Sequence, residues 1–532
     1  ASTLTTFCGV SGGFEDAMSQ ERSLYADFLA NIDKTFGDFH LTANVGASIY
    51  HTSMDQLYIA GDLVIPNFFQ INNINFSANY KPDPTGYEDE IQSIFASAEL
   101  SWKNQLYLTV TGRNDWDSKL AFSKQKSFFY PSVGLSALLS EMVKLPEVIS
   151  YAKIRGSYTV VASSFDRFLT NPGYEYNSQT HNWANPTVYP MDNMKPEKTK
   201  SWEIGLNLKF WGNRFNLDAT YYRSNTLNQT FKVDIPSSSG YKQAIVQAGN
   251  VQNQGLELAL GFNDKWAGFG WSSNATFTLN RNKVKRLASG SVNPVTGEAI
   301  QMDEMNVGWL GKENVAPRVI LTEGGSMTDI YVYNQLTKDN NGNIKVDQNG
   351  NLGITSSNTP VKVGNLDADF NLGWTNHFTY KGIDLGVVLS ARVGGLAYSA
   401  TQGILDYYGV SGTSATARDN GGIPINNGKV NAQKYYQTIG TGEGGYGRYY
   451  LYSATNVRLQ ELSLNYTLPK RWFKNVANVT LGIVGRNLWM IYCKAPFDPE
   501  LSASTSSNYY MNVDYFMQPS LRNFGFNVKV QF

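Results

Sequence analysis

Three short stretches carry residue types at spacings that could do chemistry. Gly9 to Gly13, GVSGG, satisfies G-x-S-x-G, the turn that presents a serine nucleophile in many hydrolases. That chemistry needs a helix directly after the serine and a His/Asp pair to take its proton. No helix-forming run follows and no such pair is identifiable, so the stretch reads as a chance match. Gly442 to Gly447, GEGGYG, has the G-x-G-x-x-G spacing of a dinucleotide turn, but it lies in a long Gly/Tyr segment leading into RYYLYS. A phosphate-binding turn stands between a strand and a helix; this one reads as a flexible loop. DNNGNIKVDQNG, from Asp339, alternates carboxylates and amides as a calcium loop does. Its sixth position is Ile344 where glycine is needed, and its twelfth is Gly350 where glutamate is needed. Two turns, Asn341-Gly342 and Asn349-Gly350, around a short strand from Asn343 to Asp347 account for it better.

His40, His51, His181 and His377 are dispersed, and Cys8 and Cys493 stand at opposite ends of the chain, so neither type has metal-ligand spacing. Buried free thiols are preferred to a disulfide. With no carboxylate pair standing out, the expectation is no enzyme, no catalytic residue, no metal and no cofactor.

Binding is a better prospect. Tyr174, Tyr176, Trp183, Tyr189, Tyr407, Tyr408, Tyr446, Tyr449, Tyr450, Tyr509 and Tyr510 lie among Asn, Ser, Gln and Gly in long polar segments. Ring faces beside adaptable hydrogen-bonding groups suit sugars or extended peptides. For any one of them, packing of loop on loop is the alternative.

The elements that must hold these segments have a two-residue period. In SWEIGLNLKF, Trp202, Ile204, Leu206, Leu208 and Phe210 share one face, while Ser201, Glu203, Gly205, Asn207 and Lys209 share the other. After Gly212-Asn213 the pattern repeats with Phe215, Leu217, Ala219 and Tyr221, which predicts a hairpin. In NVRLQELSLNYTLP the apolar phase moves between Leu459 and Leu462, which predicts a bulge or a rim segment. Some fifteen such strands of about ten residues recur, the length a tilted strand needs to cross an apolar layer. Tight turns such as Lys103-Asn104 and Lys381-Gly382 alternate with long segments, among them residues 171–200, 289–318, 334–365, 398–455 and 496–520.

Composition agrees. Forty-four basic and 44 acidic residues cancel, so no nucleic-acid footprint is indicated; aromatics reach 13% and there are 48 glycines. No stretch approaches the roughly 18 apolar residues of a membrane helix, which says nothing against a membrane β-barrel, whose strands average to ordinary hydropathy. The fold class predicted is all-β: a large antiparallel transmembrane β-barrel with short turns on the periplasmic side and long extracellular connections. The chain starts at Ala1 without an apolar leader, so a removed targeting segment or further N-terminal sequence is expected.

Five stretches, in order, resemble a family. MKPEKTKSWEIGLNLKFWGNRFNLDATYYRSNTLNQ resembles a characteristic hairpin of the SusC/RagA-type TonB-dependent outer-membrane transporters. GRNDWDSKLAFSKQKSFFYPSVGLSALLSE, YAKIRGSYTVVASS, VGNLDADFNLGWTNHFTYKGIDLGVVL and NVRLQELSLNYTLP with GRNLW resemble four further segments, from about Asn114 to Phe532. The resemblance implies a Gram-negative outer-membrane location in Bacteroidota and import of oligosaccharides or oligopeptides. It also implies a SusD-like surface lipoprotein acting as a lid, energy from the TonB complex acting through a plug, contact with lipid bilayer and lipopolysaccharide, and a possible dimer of transporter–lipoprotein pairs. Such transporters are the 22-stranded, plugged kind. The chain therefore looks like the C-terminal part of one, residues 1–532 forming a partial barrel, with about seven strands and the plug expected elsewhere in the molecule. One local departure is SYTVVASSF, which lacks the Gly-Asn that often follows this strand. A passive or structural barrel, such as an adhesin or protein-translocation pore, is the second reading, and a soluble glycan-binding or glycan-cleaving β-protein a third. The terminal LRNFGFNVKVQF, with Val528, Val530 and Phe532 on one face, resembles the signal by which such barrels are recognised for membrane insertion.

Overall fold

Strict alternation over long segments leaves each strand one apolar and one polar face, and a strand of that kind is stable only beside others in the same phase. The computed structural model describes residues 11–75, 83–170, 173–177, 182–189, 194–235, 239–288, 292, 295, 297–300, 302, 304–310, 316–440, 446–501 and 511–532. Fifteen strands follow one another in a single antiparallel meander. They are β1 (Gly13–Phe36), β2 (Phe39–Asp62), β3 (Asp83–Trp102), β4 (Leu106–Asp117), β5 (Phe128–Leu138), β6 (Ile149–Ser163), β7 (Glu197–Phe210) and β8 (Phe215–Asp234). The remainder are β9 (Gln243–Trp266), β10 (Phe269–Arg286), β11 (Phe370–Tyr380), β12 (Ile383–Val393), β13 (Asn456–Thr467), β14 (Asn478–Cys493) and β15 (Asn523–Gln531). Among the described residues β1 pairs only with β2, and β15 only with β14.

The predicted hairpin is present, with Phe210 opposite Phe215 and Trp202 opposite Arg223. The phase change in β13 is a bulge: Val388 faces Glu461 and Leu389 faces Leu459, leaving Gln460 unpaired in the ladder and its amide donating to Ser390 Oγ at 3.0 Å. One rim, called near here, has tight turns. Both central residues of Lys381-Gly382 and Ala267-Gly268 have positive φ, the geometry that matches the twist of flanking strands.

Register sorts the faces. One carries Ala26, Phe28, Ala30 and Ile32 of β1 opposite Ile49, Ala47, Val45 and Ala43 of β2, and continues through Ile94 to Trp102 of β3. Toward the near rim it ends in aromatic rings that touch across strands: Phe210–Phe215 at 5.4 Å, Phe215–Phe262 at 4.7 Å, Phe262–Trp271 at 4.9 Å and Trp271–Phe378 at 6.2 Å. Two indole N–H groups on this face find partners, Trp271 donating to Asn376 Oδ1 and Trp374 to Ser273 Oγ, which spares each the cost of an unpaired donor away from water. The opposite face is small and polar, and glycines let long side chains lie flat across it. Arg155 of β6 crosses Gly205 of β7 to reach Asp218 at 3.0 Å and Thr220 at 2.6 Å on β8; a Cβ at Gly205 would stand 2.5 Å from Arg155 Nε.

The far rim departs from the sequence reading. Segments taken as long polar loops contain helices α1 (Ala400–Tyr407), α2 (Gly412–Asp419) and α3 (Ala432–Ile439) and, together with residues 319–333 between two of them, form a four-stranded sheet of Glu304–Trp309, Arg318–Thr322, Asp329–Leu336 and Ile354–Asn365. Polar composition hid them because their apolar contacts are spread over distant segments rather than set at one period.

Candidate functional site

The connections β10–β11, β12–β13 and β14–β15 build a folded layer on the far rim. Its core joins Val284 and Leu287, from the end of β10, to Val319, Ile330, Leu366, Tyr398, Tyr450 and Val513, all at most 2% exposed. Asn512 ties the three connections together. Its backbone carbonyl accepts from Tyr398 N at 2.9 Å, and its side-chain amide donates to Leu366 O at 2.8 Å and Leu396 O at 3.2 Å. Ser399 caps α1 by accepting from Gln402 N, and its hydroxyl donates to Asp514 Oδ2 at 2.6 Å. A second core packs α2 and α3 around Ile425, Val430, Tyr435, Tyr436 and Ile439.

The layer is pinned to the sheet by a buried ion pair. Arg458 of β13 holds Asp498 with two contacts, Nη2–Oδ1 at 2.8 Å and Nη1–Oδ2 at 3.2 Å, and Ser520 donates to the same carboxylate at 2.6 Å. Burial pushes the Asp498 carboxyl up, but the donors from Arg458, Ser520 and the Glu500 amide outweigh it and leave it below the ordinary carboxylate value.

The aromatics singled out from sequence separate into two sets. Trp183, Tyr174 and Tyr408 are 69%, 67% and 72% exposed. Tyr176 is exposed too and meets Trp183 across the hairpin Glu175–Asn177/Asn182–Ala184, at 5.0 Å between rings. The others pack. Tyr189 meets Tyr241 edge-on, Tyr407 meets Tyr408, Tyr446 lies against the second core, and Tyr449 meets both Tyr435 and Tyr450 edge-on with part of its ring exposed. Tyr450 is a correction: fully buried in the first core, it has no ring face to offer a ligand. Tyr509 and Tyr510, with Cys8, lie outside the described residues; Cys493 is a half-buried free thiol.

Gly9 and Val10 of the first stretch with apparent chemistry and Gly442 to Gly445 of the second lie outside the described residues; the third is otherwise occupied. Asp339 Oδ1 accepts from the amides of Asn341 and Asn343 at 2.8 and 2.9 Å, and Asp347 Oδ1 from those of Asn349 and Asn351 at 2.9 and 2.8 Å. Both carboxylates therefore serve their own turns. Among the described residues no cluster of His, Cys, Asp or Glu has the makings of a metal site.

Sequence reasoning missed the connection after β2. It begins LVIPNFFQINNIN without a charged residue, and a break in the two-residue period was the available signal. Asn73, almost fully buried, donates to Ile65 O at 2.8 Å and Phe68 O at 2.7 Å and accepts from Ile65 N at 2.9 Å, which fixes a turn with Val64, Ile65, Phe68, Phe69 and Ile71 all exposed.

Comparison with known proteins agrees with this geometry. Residues 4–488 match the family described as TonB dependent receptor-like, beta-barrel. TonB-dependent receptor P3 of Formosa agariphila is 24% identical over all of this chain and 54% of its own length. TonB-dependent receptor SusC of Bacteroides thetaiotaomicron is 25% identical over 80% of this chain and 43% of its own. The solved structure of the RagAB peptide transporter superposes with a TM-score of 0.73 at 16% identity, over 97% of this chain and 56% of that one. The chain spans about half the length of the curated relatives it matches.

Proposed function

We propose, because this chain belongs to the TonB dependent receptor-like β-barrel family, that it forms part of the wall of an importer for large nutrients, oligosaccharides or oligopeptides. Barrels of this family are outer-membrane proteins of Gram-negative bacteria; we place this one in a member of the Bacteroidota. The observation that carries the reading is the family match over residues 4–488 of a sheet whose apolar face suits lipid and whose far rim is built up into a folded layer. Substrate is taken up between that rim and a SusD-like lipoprotein lid, with the inner-membrane TonB complex acting through a plug outside these residues. Trp183, Tyr174, Tyr176 and Tyr408 are the rings we assign to substrate capture, since they are exposed on far-rim connections.

The reading is tested by growth and uptake. A strain lacking the protein should fail to grow on one class of polymer, glycan or peptide, at concentrations where the parent grows. Complementation with Trp183→Ala should leave membrane levels intact and lower uptake several-fold at limiting substrate. Growth unimpaired on both classes would refute the import role.

Closure follows from the same reading. An unpaired strand edge in lipid leaves backbone donors and acceptors that each cost several kcal/mol, and β1 and β15 each pair on one side only among the described residues. We propose that further strands complete the barrel, and that Phe532, with Val530 and Val528, serves in assembly. Outer membranes should hold the barrel with more polypeptide than the 59.1 kDa of these residues, and Phe532→Ser should lower its yield several-fold. A native species of 59.1 kDa alone, or undiminished yield, counts against the corresponding half of this proposal.

A further inference from the structure

The apolar face of the wall ends, toward the far rim, in a patch of positive charge. On β7 to β10 its last apolar row runs Ile204, Tyr221, Leu256 and Leu279 across the four strands. One step farther out the same face carries Trp202, Arg223, Gln254 and Arg281, and the step after that Lys200, Asn225, Gln252 and Lys283. Lys198 follows on β7, opposite Leu227. Of these ten positions beyond the apolar row, five are cationic and none is acidic. Arg281 holds Asp369 at 3.4 Å, whereas Lys198, Lys200, Arg223 and Lys283 have no carboxylate partner among the described residues. The amides between them satisfy one another, Asn225 donating to Asn250 Oδ1 at 2.8 Å and Gln252 to Gln254 Oε1 at 3.2 Å. Like charges set side by side on neighbouring strands are destabilising unless an anion stands among them.

The level of the patch says which anion. From Phe210 at the near rim to Trp202 is eight residues, roughly 20 Å of height at about 3.3 Å per residue and a tilt of about 40°. An apolar layer about 25 Å tall therefore ends where the cations begin. Trp202 meets Tyr221 at 5.5 Å, a ring pair at the far edge of that layer as Phe210 and Phe215 are at its near edge. The patch also lies in the middle of the wall, away from the unpaired edges of β1 and β15. A second copy of this chain seated on it about a two-fold axis would set cations against cations. Phosphate fits instead: cations roughly 7–10 Å apart on long side chains can close on one such group with charge-assisted hydrogen bonds.

We infer that Lys198, Lys200, Arg223, Arg281 and Lys283 form a site for the phosphate groups of one lipopolysaccharide molecule of the outer leaflet, with Trp202 against its acyl chains. This rests on the outer-membrane placement in the import reading, with the far rim outward. The test uses the protein purified from outer membranes with its associated polypeptides and stripped of lipid in detergent. It is titrated with lipopolysaccharide from the same membranes, with that lipopolysaccharide after removal of its phosphates, and with phosphatidylglycerol. The parent should bind the intact glycolipid at least tenfold more tightly than either of the others, and more weakly as salt rises. Lys200→Gln with Arg223→Gln and Lys283→Gln should erase that preference. Lys265→Gln with Lys381→Gln and Lys470→Gln, the same loss of charge at the near rim, should keep it. Equal binding of the dephosphorylated glycolipid by the parent overturns the site, as does a preference that survives the first triple variant. Equal binding of phosphatidylglycerol overturns the assignment to lipopolysaccharide. All three results leave the import reading standing, whereas a protein absent from the outer membrane would sink both.

Discussion

Arg458→Met should free the connection between β14 and β15 from the rim, at a local cost of about 3–5 kcal/mol, the range for removing one partner of a buried ion pair. Arg458 is 4% exposed and its guanidinium is shared among Asp498, Glu500 and Asn456. Deleting it strands the Asp498 carboxylate, 9% exposed, with Ser520 and the Glu500 amide as remaining donors. Asp498→Asn keeps the shape and one acceptor, so it should cost less. The measurement is amide exchange in the native membrane protein. Residues near Asp498 and Asn512 should exchange far faster in Arg458→Met, while β7 to β10 keep the protection of the parent. Uniform protection in the variant would remove the pair from any role in fixing the layer.

The same pair sets a pH dependence. Because the folded carboxyl of Asp498 lies below its ordinary value, its contribution is fully present above an unfolded pKa of about 4 and is lost as pH falls through the lower folded value. Exchange in the parent should therefore approach that of Arg458→Met only below about pH 4, with the variant less sensitive over the same window.

The wall was legible in the sequence because one rule, alternate residues to opposite environments, governs every strand in it. The hairpin Trp202 to Tyr221 could be read from phase alone, and so could the break between Leu459 and Leu462, expected as a bulge or a rim segment and found as a bulge at Gln460. The layer on the far rim obeys no such rule. Tyr449 and Tyr450 are neighbours in the same Tyr-rich run, yet one keeps part of its ring in solvent and the other is fully buried, because Tyr450 belongs to one core with Leu366, Tyr398 and Val513, which come from three separate connections. Nothing local to the run distinguishes them. Likewise, Asn512 looks like any loop asparagine until the carbonyls of Leu366 and Leu396 are brought to its amide. The family resemblance supplied the setting, but the fate of individual loop aromatics had to come from packing.

Gly395→Val should be the more disruptive change at the joint between wall and layer. Gly394 and Gly395 leave β12 with φ of 86° and 79°, a conformation that β-branched residues scarcely enter. The space is closed as well: a Cβ at Gly395 would stand 2.8 Å from the carbonyl oxygens of both Leu366 and Asp367, backbone atoms that cannot rotate away. Left-handed strain and overpacking together should cost about 3 kcal/mol or more. The strand Leu396–Ser399 must then leave its place, drawing Tyr398 from the core and Leu396 O from Asn512, so the three connections separate where they are joined. Chymotrypsin added to intact cells should cut at Tyr407 or Tyr408 at least tenfold faster in Gly395→Val than in the parent. Gly412→Ala, where nothing stands within 4 Å of the added Cβ, should leave the rate unchanged. Equal rates in all three proteins would mean that the layer does not depend on this joint, and that the wall alone positions the connections above it.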